Sequence, residues 1–261
     1  MTVEPQVEIT ESHQKQFQER GFFLLERAMT EEVLERLRGE VDRFIEAREA
    51  EMREKGVEKL GLDHLGKRYF IQSSYKKSQI IHDFIFSELM AAICRATVGA
   101  NARFFFDQWV IKAAEKGIPF SWHQDSGYVP FDHTPYVTCW TPLDDVDESN
   151  GTVYLLPYDR LGVKSRVQHI KDPETNDMVG YFGEDPGDPV RVPAGSVAVF
   201  SSVCFHRSGY NQSANMRRVL LTQYSPEIIK NPWTDEQLFQ GLPFLENGVV
   251  TSENYFAAEK A

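Results

Sequence analysis

Apolar residues recur at helical spacing through the first hundred positions and fall into short broken runs after residue 102, so the pattern predicts helices first and a β-rich body second. Residues 11–20 read as a polar helix ending at Gly21, a helix C-cap, before the strand-like run Phe22 to Leu25. Thr30 can cap a long helix in which Val33, Leu34, Leu37, Val41, Phe44 and Ile45 share one face, with a charged extension toward Gly56. A second helical tract is expected from Ser78 to Thr97, where Ile80, Ile81, Phe84, Ile85, Leu89 and Ile93 form a stripe. The candidate strands are Arg103 to Ala113, Tyr136 to Pro142, Thr152 to Pro157, Val190 to Val192, Ser196 to Ser201 and Arg217 to Tyr224. Turn signals separate them, including Asn150-Gly151 and Pro193-Ala194-Gly195. Short strands at this spacing suit a sandwich or jelly roll. With 261 residues and no linker-like stretch, one domain is expected: a helical part to about residue 100, a body to about 230 and a C-terminal extension.

Composition narrows the partners. A formal net charge of -11 repels nucleic-acid phosphates and anionic membrane surfaces. No apolar run is long enough to span a bilayer and the first thirty residues lack a signal-peptide core, so a cytoplasmic protein is expected. Cys94, Cys139 and Cys204 lie far apart without metal or redox spacing, in keeping with a reducing compartment.

Among seven histidines only His123 has a carboxylate two positions later, Asp125. With 39 acidic residues in 261, about one such match is expected by chance, so the neighbours must carry the argument. On an extended strand positions i and i+2 share a face, so His123 and Asp125 could present an imidazole nitrogen and a carboxylate oxygen to one ion. His206 follows the apolar run Val197 to Phe200 after a short connection, and a jelly roll could bring it beside them. Two histidines and one carboxylate leave adjacent positions open on iron(II), although zinc tolerates the same set. Beyond His206 come Ser208, a hydroxyl donor, and Arg217-Arg218 at a strand start. A guanidinium there can clamp a carboxylate with two hydrogen bonds, and strand parity does not choose between the two arginines.

These pieces in order, Phe120-Ser121-Trp122-His123-Gln124-Asp125, the Asn150-Gly151 turn with Leu155-Leu156-Pro157, and His206 with Ser208, Gly209, Asn211 and Arg217, resemble the phytanoyl-CoA dioxygenase (PhyH) family of Fe(II)/2-oxoglutarate-dependent oxygenases. The resemblance implies a mainly β fold with N-terminal helices, a double-stranded β-helix (jelly roll, cupin-like). It implies that His123, Asp125 and His206 bind Fe(II), that Arg217 rather than Arg218 holds 2-oxoglutarate, and that Ser208, Trp140 and Gln108 adjoin that cosubstrate. It further implies consumption of O2 with release of succinate and CO2. Related halogenases carry a small residue at the position of Asp125, so hydroxylation is expected over halogenation. Desaturation, epimerisation and cyclisation use the same site, and no CoA-binding segment is recognisable. A zinc hydrolase and a non-enzymatic jelly-roll sensor are the rival readings.

Tyr128 and Phe131, just past the first ligands, are the expected substrate contacts. His133 is expected to be an exposed loop residue. The acidic run Asp144, Asp145, Asp147 and Glu148 lacks the glycine and alternation of a calcium loop and reads as solvated. Residues 159–188, rich in Gly, Asp, Lys and Pro, resemble an insertion that caps such barrels, a lid.

Overall fold

The computed structural model of the protein describes residues 3–61, 63–115, 118–173, 177–251 and 255–256. Helix α1 (Glu11–Arg20) ends where Gly21 adopts φ 86°, its amide bonded to the Phe17 carbonyl, and the chain turns into β1 (Phe22–Leu25). A Cβ at Gly21 would meet the Tyr158 ring at 2.7 Å, so both the conformation and the space demand glycine. Helix α2 (Glu31–Glu54) opens on Thr30, whose hydroxyl accepts from the Val33 amide, and buries the expected stripe. The single helix expected at Ser78 to Thr97 is instead two, α3 (Gln79–Ile85) and α4 (Glu88–Thr97). The reason is a second cap: Ser87 accepts from the Met90 amide as Ser78 does from Ile81, so a new helix starts there.

Between α2 and α3 lie β2 (Lys59–Leu60), β3 (Asp63–His64) and β4 (Arg68–Gln72). The body supplies β5 (Ala102–Lys112), β6 (Phe120–His123), β7 (Val137–Pro142) and β8 (Val153–Leu156). Helix α5 (Tyr158–Leu161) and the strands β9 (Ile170–Lys171), β10 (Met178–Val179) and β11 (Asp188–Pro189) follow. The chain continues through β12 (Val197–Ser201), β13 (Phe205–Ser208), β14 (Arg217–Ser225), β15 (Leu242–Glu246) and β16 (Val249–Val250). The expected strand at Val190 to Val192 is shorter and earlier, because Val190 bonds to Val153 while Val192 makes only a single bridge to Val146.

The strands form a large antiparallel sheet in the order β1-β12-β7-β14-β5-β4-β3-β2, with β15 also on β5, and a four-stranded sheet β11-β8-β13-β6. Period-2 alternation divides the large sheet into two faces. Leu220 and Tyr224 point outward into a core shared with α2, α3 and α4, and the Tyr224 hydroxyl donates to the Ile85 carbonyl. Val219 points inward and packs with Trp140, Ala198 and Phe200 against Val153 and Leu155 of the small sheet. The two sheets are therefore held face to face by an apolar floor. Beyond this floor the inward-facing Phe70, Phe106, Gln108, Val110 and Leu221 are only half-buried, whereas outward-facing Trp109, Ile111 and Leu220 are fully buried. The space between the sheets is incompletely filled there.

Within residues 159–188, of which 174–176 lie outside the described residues, β10 runs beside β6: the Gly180 amide donates to the Trp122 carbonyl at 2.9 Å. Among the described residues no helix is long and apolar enough to cross a membrane.

Candidate metal centre

Strands β6 and β13 are neighbours in register, with His123 opposite His206. The extended-strand expectation for His123 and Asp125 needs correcting: β6 stops at His123, and Asp125 opens a 3-10 turn, Asp125–Tyr128. The turn carries the Asp125 carboxylate to both imidazoles, with Oδ1 3.9 Å from His123 Nε2 and 3.5 Å from His206 Nε2. One ligand atom from each of the three buried residues lies within 4.8 Å of the others, a spacing that can hold one metal ion.

The surrounding bonds aim these atoms. His123 Nδ1 bonds to the Ser121 carbonyl at 2.7 Å and His206 Nδ1 to the Cys204 carbonyl at 3.1 Å, which leaves each Nε2 lone pair for a ligand role. Asp125 Oδ2 accepts from the Thr138 hydroxyl at 2.5 Å and the Gln223 amide at 3.0 Å, which leaves Oδ1. Burial, with the neighbouring His206 imidazole, lowers His123 to about 3 despite the Asp125 carboxylate. Burial alone would raise Asp125, but the His206 and His123 imidazoles and the Thr138 hydroxyl hold it at about 2. At neutral pH His123 is thus neutral and Asp125 ionised, the forms that bind a cation.

The inward face of the large sheet leads from this centre to a pocket of buried cations. Arg217 is 1% exposed; its Nη1 donates to the Val110 carbonyl at 3.1 Å, and its guanidinium carbon lies 5.6 Å from the centre of the Trp140 ring. Its Nε has no hydrogen-bond partner, and no ion pair involves it among the described residues. Burial lowers it to about 10, so it stays charged at neutral pH. Ser208 receives a 2.9 Å hydrogen bond from Lys112 Nζ. Gln108 and Trp140 flank Leu221 across the sheet, inward and adjacent to this row. Arg218 faces the other way and pairs with Asp144 at 2.6 Å and Asp42 at 3.0 Å, so burial and partners separate the two arginines that parity could not.

Tyr128 stands at the mouth, 43% exposed, its ring centre 5.7 Å from that of His123 in an edge-to-face arrangement. Phe131 packs in a separate apolar cluster with Phe105, Val129, Tyr136 and Ile229. His133 is half-buried rather than an exposed loop residue: it bonds to the Ser126 hydroxyl at 3.0 Å and stacks on Tyr136. The acidic run is exposed at Asp145, Asp147 and Glu148, as expected, and is also tied into the fold: Asp144 holds Arg218, Asp145 takes the Ala194 amide, Asp147 caps Ser149 and Glu148 pairs with Arg191. Thr138, Gln223 and Lys112 escaped the sequence reading. Counting in twos from Trp140, Arg217 and Gln108 puts all three on the inward face, but does not show what they meet there.

Two imidazoles and a carboxylate beside a buried guanidinium, set between two antiparallel sheets, form a metal-competent centre. The chain belongs to the phytanoyl-CoA dioxygenase (PhyH) family, whose profile matches residues 17–219. It is 28% identical over 154 residues to a probable alpha-ketoglutarate-dependent hypophosphite dioxygenase of Stutzerimonas stutzeri, covering 56% of this chain and only 52% of that protein's length. It is 24% identical over 230 residues to the peroxisomal phytanoyl-CoA dioxygenase of Mus musculus, covering 81% of this chain and 67% of that protein. Among solved structures, the non-heme alpha ketoglutarate dependent carbocyclase SnoK superposes with TM-score 0.66 at 16% identity, over 84% of this chain and 85% of that one. EvdO2 from Micromonospora carbonacea var. aurantiaca, solved with 2-oxoglutarate, gives TM-score 0.62 at 19% identity, over 91% and 95%. The fold is shared with both.

Proposed function

We propose that this chain is an Fe(II)- and 2-oxoglutarate-dependent dioxygenase that hydroxylates an unactivated C–H bond of a small molecule. The two facing sheets are read as the family's double-stranded β-helix, in one oxygenase domain. The observation that carries the reading is Arg217: a buried, charged guanidinium with an orphan Nε, on the same inward face as a metal-competent triad. Buried charge without a partner is costly, and a carboxylate is its natural complement.

The donor set fits the metal, and the orphan Nε fits the acid. When bound, Fe(II) and 2-oxoglutarate supply the oxidative decarboxylation that turns O2 and the oxo acid into succinate, CO2 and an oxidant able to take hydrogen from carbon. His123, Asp125 and His206 hold the metal, while Thr138 and Gln223 fix the second Asp125 oxygen so that the carboxylate cannot rotate. Arg217 and Ser208 hold the distal carboxylate, with Trp140 and Gln108 beside them. The floor of Val153, Leu155, Ala198 and Val219 excludes water from that end. Tyr128 meets the substrate at the mouth, whereas Phe131, expected beside it, lies buried in its separate cluster. Asp125 occupies the coordination position that halogenation would need free. A relative named for probable hypophosphite oxidation and a fold neighbour named as a carbocyclase support leaving the outcome to how substrate is oriented.

The test is anaerobic addition of Fe(II) and then 2-oxoglutarate. A metal-to-ligand charge-transfer band is expected, followed in air by succinate release that candidate C–H substrates accelerate. Absence of the band, or metal-dependent hydrolysis without succinate, overturns the reading in favour of a zinc hydrolase.

A further inference from the structure

Strand register divides the inward face of the large sheet into rows. Arg68, Lys112 and Arg217 share the first row, Phe70, Val110 and Val219 the second, Gln72, Gln108 and Leu221 the third, and Phe106, Gln223 and Thr138 the fourth. The fourth row is the one that touches the triad, because Thr138 and Gln223 both donate to Asp125 Oδ2. The cations of the sheet are thus separated from the metal centre by two uncharged rows. The rings facing the triad from the small sheet's side are uncharged as well. Phe120 and Tyr128 have ring centres 4.8 and 5.7 Å from that of His123, and Phe70 lies 6.3 Å from Phe120. Phe70, Phe106 and Phe120 are only half-buried and Tyr128 is exposed, so aromatic surface stays uncovered beside the centre.

The connection from β14 to β15 adds one more ring. Strands β5 and β14 pair Phe106 with Gln223 and Phe104 with Tyr224, which leaves Phe105 as the extra residue of a bulge. Bulges re-aim side chains and are common beside active sites. Here Phe105 and Phe106 both meet Phe239, each with its ring centre 5.0 Å away. Phe239 has φ 56°, a left-handed conformation that a bulky residue rarely adopts. Its neighbours impose it: the Leu238 amide donates to the Ile229 carbonyl at 2.8 Å and the Gln240 amide to the Phe105 carbonyl at 3.1 Å. The ring so placed is still 48% exposed. The chain therefore accepts backbone strain to hold an aromatic ring beside Phe106 that its own fold covers only in part.

We propose that the substrate is an uncharged, apolar, ring-bearing molecule that lies between Phe106 and Phe239 on the large sheet's side and Phe120 and Tyr128 on the small sheet's side. This rests on the function proposed above and names its substrate class. The faces and edges of these aromatic side chains suit stacked and edge-on contact with another ring. An anionic substrate would lose its hydration there with two uncharged rows between it and the cations of the sheet, and the net charge of -11 would repel it on approach. A Phe239 that merely covered Phe105 would stabilise the fold without affecting which ligand binds.

Fluorescence titration of the full chain carrying Zn(II) and 2-oxoglutarate separates the two. The probes are N-phenyl-1-naphthylamine, which is uncharged, and 8-anilinonaphthalene-1-sulfonate, the same rings with a sulfonate added. Wild type is expected to bind the uncharged probe about tenfold or more tighter than the sulfonate. Phe106→Ala and Phe239→Ala should each weaken the uncharged probe about fivefold or more, whereas Phe182→Ala, at a more exposed ring within residues 159–188, should change it less than about twofold. Phe239→Lys, suited to a half-exposed position even if the alanine variant does not fold, should turn the preference toward the sulfonate. A wild type that binds Zn(II) and 2-oxoglutarate but does not prefer the uncharged probe, or an affinity indifferent to Phe106 and Phe239, overturns the substrate class and leaves the proposed function standing. A wild type that binds Zn(II) but no 2-oxoglutarate overturns both.

Discussion

Arg217 and Arg218 are adjacent on β14, yet one side of the sheet pairs its arginine twice and the other leaves its arginine's Nε without a partner. The contrast extends along the strand. Outward, Leu220, Thr222 and Tyr224 meet helices in a filled apolar core; inward, Leu221 stays half-buried and Gln223 reaches the Asp125 carboxylate. The outward face obeys the rules that make proteins stable, whereas the inward face breaks them where a metal and an anion would restore them. Burial on one face sustains the buried, incompletely compensated charge on the other.

The sharpest way to break this comparison is to remove each arginine in turn. Arg217→Leu is expected to weaken 2-oxoglutarate binding at least about 30-fold, the effect of deleting one partner of a buried charge pair. The same change should leave the ligand-free protein's stability little altered or raised, since an unmatched buried cation disappears. Arg218→Leu should do the opposite, costing about 1 kcal/mol of stability from a partly exposed pair and changing cosubstrate affinity less than about threefold. Calorimetry and urea midpoints read both. A large affinity loss in Arg218→Leu would show that the two faces are not independent.

The next contrast is in packing. Leu220→Ala opens a cavity in the outward core and should cost about 2–5 kcal/mol in urea denaturation. Leu221→Ala, half-buried between Gln108 and Trp140, should cost about 1 kcal/mol and act chiefly on cosubstrate affinity. Equal destabilisation would mean that the inner space is as well packed as the outer.

This division was partly legible in the sequence. The outward core announced itself through periodic runs such as Val33 to Ile45, and the caps at Thr30 and Ser78 marked where helices begin. Ser87 marked one too, but a continuous apolar stripe across Phe84 to Leu89 masked it. Strands β6 and β13 hold only four residues each and are interrupted by Ser and His, too short and too polar for a period to show. His123, Asp125 and His206 could be proposed together because their neighbours resemble a family, and the structure does bring them together, yet their approach was misjudged: a turn, not a strand, delivers Asp125. Lys112 and Gln223 were unreadable one strand at a time. Each becomes conspicuous only opposite Arg217 or beside Asp125, and register is a tertiary property.

Two buried carboxylates offer the finest comparison. Asp107 faces outward and accepts from the Ser74 amide and hydroxyl, each at 3.0 Å, yet burial outweighs those bonds and raises it to about 6. Asp125 faces inward and is held at about 2. A folded pKa above the unfolded value means that Asp107 contributes stability fully present below about pH 4 and lost as pH rises through about 6. For Asp125 the sign reverses: its contribution is present above about pH 4 and lost as pH falls toward about 2. His123, lowered by burial to about 3, also titrates at acidic pH, so the difference between variant and wild type is the useful quantity. In metal-free protein, Asp107→Asn should gain on wild type by a few degrees in thermal midpoint between about pH 4 and 7. Asp125→Asn should hold a constant offset over that range and gain on wild type only below about pH 4. If both differences moved together between about pH 4 and 7, the two carboxylates would share one environment, and the electrical division between the faces of the sheet would not exist.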